Sequence, residues 1–342
     1  MDREQEEMQF LGPFGICREA YKIIISWRKI FTKITLALIL PLSFILLAHI
    51  KFSELLTSRI IHNQAMLGEA QIGTQRYNKL SPLISSEHTT YWLFQLGYII
   101  SLFIFSFLST SAVVYTIACI YTGREVTFKK VMSVVPKVWK RLVLTFLSTV
   151  LAFFAYSLVF TIITILCAFL WAHTAGTASV SISLHTTVVI FFIILIIYGL
   201  GALYMIIIWQ LASAVSVLED SYGFKALVKS KNLIKGKMWV ALIIFLMLNF
   251  SSFVIYTPFQ KFVVHGESQS LLYKVGFGML FLSLQSMLCL FGLIVQTVIY
   301  FVCKSYHHEN INKSVLSDHL EVYHGEYAPL KKTDVPLGQF QV

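Results

Sequence analysis

Residues Thr127–Arg141, TFKKVMSVVPKVWKR, decide the reading of this chain. Projected on a helix, Phe128, Val131, Met132, Val135, Val138 and Trp139 share one face, and Lys129, Lys130, Ser133, Lys137, Lys140 and Arg141 share the other. That division follows the 3.6-residue period. Pro136 is expected to kink or break the helix partway, because its ring removes one N–H donor and crowds the preceding turn. The flanks separate this helix from one packed on a water-soluble core. Tyr91–Tyr121 precedes it and Leu142–Trp171 follows, both nearly uninterrupted apolar runs. A helix with a basic face that runs straight into such a run suits the membrane–water boundary, with its lysines toward anionic headgroups.

The whole composition agrees. Of the 342 residues 57% are hydrophobic and only 13% charged, at a mean hydropathy of +0.73. Soluble domains carry about 25% charged residues, so a single water-soluble globule is excluded. Net charge is +10, but the basic residues cluster beside apolar runs and form no groove-lining stripe, which argues against a nucleic-acid partner. The five cysteines lie in or beside the apolar runs and supply neither a disulfide framework nor a CxxC metal pattern. Cys17 and Cys303, next to predicted membrane boundaries, are candidates for acylation.

Six spans are predicted, at about 31–50, 91–121, 142–171, 188–217, 238–256 and 278–303. They follow an N-terminal segment over 1–30 and precede a polar tail over 304–342. Pro41 is expected to kink the first span, and spans two to four are long enough that they must tilt or protrude. The stretch 51–90 reads as a short helix plus a loop, and Ala172–Thr187 as a flexible connection. With alternate loops on opposite sides, 21 of the 27 Lys and Arg residues fall on the side that holds both termini. The positive-inside bias therefore places both termini in the cytosol.

An internal repeat follows. Ile16–Lys29, Phe128–Arg141 and Phe224–Lys237 are each basic segments of helical length that enter a span. Trp27-Arg28-Lys29 matches Trp139-Lys140-Arg141, and Lys237-Met238-Trp239 is a looser echo. The predicted fold is thus all-α, three copies of a basic amphipathic interfacial helix plus a membrane hairpin. In the third copy Lys231 and Lys235 fall in the apolar arc and must snorkel. Lys129, Lys130, Lys137, Lys140, Arg141, Lys225, Lys229 and Lys237 are the candidate headgroup-binding residues.

Catalytic patterns are missing: there is no nucleophile elbow, paired carboxylate or phosphate-cradling loop. No cofactor or metal is expected. The predicted spans contain no Asp or Glu and only Lys33 near an end, which counts against a proton- or ion-coupled transporter. Gln95, Gln210, Asn249, Gln285 and Gln296 are the uncharged polar groups at membrane depth, suited to helix–helix hydrogen bonds or to a solute. Glu219-Asp220, beside the lysines of the third basic segment, is expected to make local salt bridges that tie down its loop. In the tail, Tyr327 and Leu330 have the spacing that cargo adaptors read in extended segments.

The segments MDREQEEMQFLG, SWRKIF, ALILPLSFI, LSTSAVVYTIA, TFKKVMSVVPKVWKRL and EDSYGFKA together resemble a plant family of uncharacterised six-span membrane proteins. Some of its members are labelled polyadenylate-binding-protein-binding protein, which implies a cytosolic protein partner. More locally, Glu219–Trp239 is similar to the membrane domain attached to bacterial glycerophosphodiester phosphodiesterases, and no catalytic residue of the hydrolase carries over. The expectation is a non-enzymatic membrane scaffold or lipid-associated protein of the endomembrane system, post-Golgi or plasma membrane. Its partners are anionic lipids of the cytosolic leaflet and a protein or adaptor on the tail. The alternative is a facilitator or flippase for an amphiphile or small neutral solute.

Overall fold

A computed structural model describes residues 8–70, 73–177, 184–266 and 270–307. Among them there are eight helices and no strand. They are α1 (Pro13–Ser26), α2 (Arg28–Glu69), α3 (Gln75–Thr122), α4 (Phe128–Thr177), α5 (Leu184–Leu218), α6 (Phe224–Leu233), α7 (Met238–Val264) and α8 (Leu271–Tyr306). Six of these (α2, α3, α4, α5, α7 and α8) are long and apolar enough to cross a membrane. Helices are the form such sequences must take, because the hydrocarbon offers backbone groups no hydrogen-bonding partner.

Several helices run further than the sequence suggests. The stretch 51–90 is no loop: α2 continues to Glu69 and α3 begins at Gln75, so the two form an antiparallel hairpin that extends past the predicted membrane boundary. Its residues are mostly good helix formers, and facing polar groups hold it. Asn63 donates to both carboxylate oxygens of Glu87 at 2.8 and 2.9 Å, and Gln64 meets His88 at 3.1 Å. At 48 residues, α3 is about 72 Å long, more than twice the roughly 30 Å hydrocarbon thickness. Most of the predicted connection 172–187 is likewise helical, since α4 reaches Thr177 and α5 starts at Leu184; residues 178–183 lie outside the described set.

Pro136 does not end a helix. It is carried inside α4, whose 50 residues join the opening basic segment directly to the span. One proline leaves one carbonyl without its donor; that carbonyl belongs to Met132, near the exposed start of the helix. At Pro41 the expected distortion is present as a π-helical turn over Thr35–Ile39, which widens the helix where the proline ring would strike the Ala37 carbonyl. The three copies therefore differ: α1 and α6 are separate helices, whereas the middle basic segment is the first third of α4.

The main core lies at one end of the bundle, the end that carries the basic segments. Phe31 and Ile34 of α2, Ala112–Cys119 of α3, Val131–Leu142 of α4, Leu211–Leu218 of α5 and Ile294–Cys303 of α8 contribute its interior. Against it α1 buries Ile16, Ala20 and Ile23, and α6 buries Ala226, Leu227 and Leu233. A small second cluster of Leu47, Phe259, Val264 and Phe281 closes the opposite end. Over residues 150–169 of α4 and 189–203 of α5, large aliphatic and aromatic side chains point outward on most sides.

Candidate functional site

The sharpest polar cluster in the described chain is a junction at the basic end, just beyond α5. Glu219 is largely buried, its side chain 12% exposed. Its Oε1 accepts from the Tyr300 hydroxyl at 2.6 Å and from Lys304 Nζ at 2.8 Å, while Oε2 pairs with Lys229 Nζ at 2.5 Å. One carboxylate thus joins the end of α5 to α6 and α8. Burial alone would push its carboxyl up, but Lys229, Lys304 and Tyr300 outweigh that and hold it below the usual carboxylate range. The neighbouring Asp220 pairs with Arg141 Nη1 at 3.0 Å, and the Arg141 guanidinium lies 6.0 Å from the Tyr222 ring centre.

Two tight turns make the junction possible. Gly223 has φ +64 and donates its N–H to Thr145 Oγ1 at 2.9 Å, and Thr145 also meets Ser216 Oγ at 2.7 Å. Gly236 has φ +88 and lies under the Tyr306 ring, where an added Cβ would fall 2.5 Å from a ring carbon. Both positions favour glycine through their positive φ, and at Gly236 a side chain would also displace the Tyr306 ring.

The candidate headgroup residues separate into two groups. Arg141, Lys229 and Lys237 are drawn inward: the first two by Asp220 and Glu219, the third with its Nζ 5.4 Å from the Tyr306 ring centre. Lys129, Lys130, Lys137, Lys140 and Lys225 are exposed. Lys231 and Lys235 are exposed as well and need no snorkelling: Lys231 lies on the outward edge of α6 with Phe224 and Val228, and Lys235 follows in the turn after Leu233. Trp139, expected on the apolar face, is 42% exposed. Trp27 and Trp239, the other members of the repeat, are 38% and 76% exposed at the starts of α2 and α7. Cys303 is fully buried, which removes it as an acylation site in the folded chain, and burial pushes the half-buried Cys17 thiol up. The tail motif, Tyr327 and Leu330, lies outside the described residues.

A cavity of about 220 Å³ lies between α5, α7 and α8. Ile234 bounds it toward the basic end, Ala241 to Leu248 form one wall, and Cys289 bounds it deeper in the bundle. Cys289 is 15 residues before Lys304, about 22 Å along the helix, so the cavity occupies the basic-end half of the bundle. Gln210 and Gln296 both line it. Gln296 Nε2 donates to the Gln210 carbonyl and to Ser213 Oγ, each at 2.6 Å.

The remaining intramembrane amides are elsewhere. Asn249 is exposed and donates to its own helix at Phe245 O, 2.8 Å away. Gln285 is buried and turns to Cys289 Sγ at 3.5 Å. Gln95 bonds His49 Nε2 at 2.9 Å, and the His49 ring stacks on Tyr98 with centroids 3.7 Å apart. The sequence reading missed His49, Tyr300 and Lys304. The last two are four residues apart on α8 and share a face, a visible signal, but nothing in the sequence names Glu219 as their common partner.

Six membrane-length apolar helices that share one hydrophobic core define a polytopic all-helical integral membrane protein. The chain belongs to the family described as a domain of unknown function, DUF8558, whose family model matches residues 1–340. No curated protein and no solved structure matches it.

Proposed function

We propose that this protein is a non-enzymatic scaffold of the endomembrane system whose cytosolic basic face gathers anionic lipid headgroups. One observation carries the reading. At the basic end the largely buried Glu219 pairs with Lys229 and Lys304 and the exposed Asp220 pairs with Arg141, and the side chains of Lys129, Lys130, Lys137, Lys140 and Lys225 are exposed. Each basic side chain near an anionic leaflet contributes about 1 kcal/mol. Trp27, Trp139 and Trp239, partly exposed at the same end, suit the aromatic belt at a headgroup boundary. The charge bias between the two ends favours the cytosol for this face, and the tail then presents Tyr327 and Leu330 to a cytosolic protein partner.

Brominated lipids test the reading in reconstituted vesicles, because bromine quenches nearby tryptophan. Brominated anionic lipid should quench the protein more strongly than an equal fraction of brominated zwitterionic lipid, and added salt should erase the difference. Equal quenching by the two lipids at low salt would refute it.

A second reading is favoured by the shared cavity of Gln210 and Gln296: a facilitator or flippase for an amphiphile or small neutral solute. Asn249 and Gln285 stand apart from that cavity and take no part in it. Gln296→Leu should abolish flux of a neutral hydroxylated tracer or a labelled lipid in proteoliposomes, and unchanged flux would remove this reading.

A further inference from the structure

The outer surface of α6 is divided into stripes. Ala226, Leu227, Ser230 and Leu233 face the bundle and are buried. Phe224 and Val228, one turn apart, are 51% and 59% exposed and form an apolar edge. Lys225, Lys229 and Asn232 form the adjoining polar stripe, and Lys235 follows in the turn. The end of α8 brings His307 beside them, its Nε2 3.1 Å from the Lys235 carbonyl. These side chains line an open groove of about 730 Å³ at the basic end of the molecule.

Among the described residues the groove lining carries Lys225, Lys229 and Lys235 and no acid, and Glu219 stands behind it, its single carboxylate serving both Lys229 and Lys304. Lys225 and Lys235 are exposed. A ligand here meets the exposed ammonium groups of Lys225 and Lys235, with Lys229 behind them paired to Glu219 and with Asn232 and His307 as further hydrogen-bonding partners. That set matches a doubly charged phosphomonoester, with three strong acceptor oxygens, better than a singly charged phosphodiester. The apolar edge selects the source, since Phe224 and Val228 suit the glycerol and acyl boundary of a lipid and gain nothing from a small soluble anion.

We propose that the groove between α6 and the end of α8 is a saturable site for one lipid whose headgroup carries phosphomonoesters, the chemistry of a phosphorylated inositol lipid. The proposal rests on the headgroup reading above and adds a defined site to it. Free inositol phosphates share the charged chemistry but lack the part that would cover Phe224 and Val228.

Native mass spectrometry of the full chain in detergent micelles tests it, with phosphatidylinositol bisphosphate, phosphatidylserine and soluble inositol trisphosphate as probes. Lys225→Gln/Lys235→Gln is compared with Lys129→Gln/Lys130→Gln/Lys140→Gln; all five lysines are exposed, so packing is left intact. The expected result is one bisphosphate lipid retained by the wild type and by the triple variant. The double variant should bind it about 30-fold more weakly, and the soluble headgroup should bind more weakly than the lipid. Equal retention by the double variant would overturn the site. So would binding of the soluble headgroup as tightly as the lipid. Graded loading of phosphatidylserine and bisphosphate lipid alike, weakened only in the triple variant, would also overturn the site while sustaining the broader headgroup reading. One retained bisphosphate lipid without any preference for phosphatidylserine would support the site and count against the broader reading.

Discussion

Helices α3 and α4 are neighbours, yet the more apolar of the two is the less buried. The most apolar window of α3 has a mean hydropathy of 2.0 and is 67% buried, whereas that of α4 has 2.5 and none of it is buried. Helix α5, at 2.7, is only 6% buried in its window. In water this order would be reversed. In a bilayer, lipid tails receive large aliphatic side chains as well as a protein core does, so hydropathy stops selecting the interior. Close approach selects it. The buried part of α3 contains Ser109, Thr110, Ser111, Ala112, Thr116 and Ala118, and the buried end of α5 contains Ala212, Ala214 and Ser216. Three of their hydroxyls bond within their own helices, Ser111 to Phe107 O at 2.6 Å, Thr116 to Ala112 O at 2.7 Å and Ser216 to Ala212 O at 2.8 Å. The exposed halves of α4 and α5 carry Phe154, Leu158, Ile162, Phe191 and Ile196 instead.

Four substitutions sharpen this contrast, each read as the thermal or denaturant stability of the purified protein in detergent. The largest effect is expected at the junction. Glu219→Gln leaves Lys229 and Lys304 without their anion, with side chains only 35% and 16% exposed, and should cost about 3 kcal/mol, the low end for a broken buried pair. The wild type should also lose stability in acid. The folded-state carboxyl of Glu219 is held below its ordinary range, so its contribution is present above the unfolded pKa and disappears as the pH falls through the folded one. Glu219→Gln should show less of that acid-dependent loss.

Ala212→Leu comes next. It forces bulk into a fully buried contact and should cost about 2 kcal/mol. Thr145→Val removes the acceptor of the buried Gly223 N–H and should cost about 1–2 kcal/mol. Leu158→Ala, on the exposed half of α4, should change stability by less than about 0.5 kcal/mol. A loss at Leu158 as large as that at Ala212 would show that the exposed half is packed against something after all.

The same physics explains which features could be read from the sequence. Six apolar runs were legible because each must pair its own backbone groups within about 20 residues, and length and composition suffice to show it. The face of Thr127–Arg141 was also legible where it packs: Val131, Val135 and Val138 are buried, and Lys129, Lys130 and Lys140 are exposed. Continuity was not. Residues 51–90 and Pro136 carry local signals for a loop and a break, and tertiary pairing of α2 with α3, and of α4 with α3 and α5, keeps the helices running through both. Glu219-Asp220 was legible as an ion-pairing corner, but its partners Tyr300 and Lys304 lie 81 and 85 residues away. The third-copy face differs at Lys231 and Lys235 because they share a helical edge with Phe224 and Val228, and that edge is exposed while Ala226, Leu227, Ser230 and Leu233 face the bundle.

The central claim is that the exposed lysines of the packed, basic end gather anionic lipid. The most direct test is mass spectrometry of the lipids that co-purify with the protein in mild detergent, for the wild type and for Lys129→Gln/Lys130→Gln/Lys140→Gln. Anionic lipid should be enriched over its membrane abundance in the wild type, with that enrichment reduced in the variant. A lipid complement that mirrors the membrane, or an anionic enrichment unchanged by the three substitutions, would contradict it.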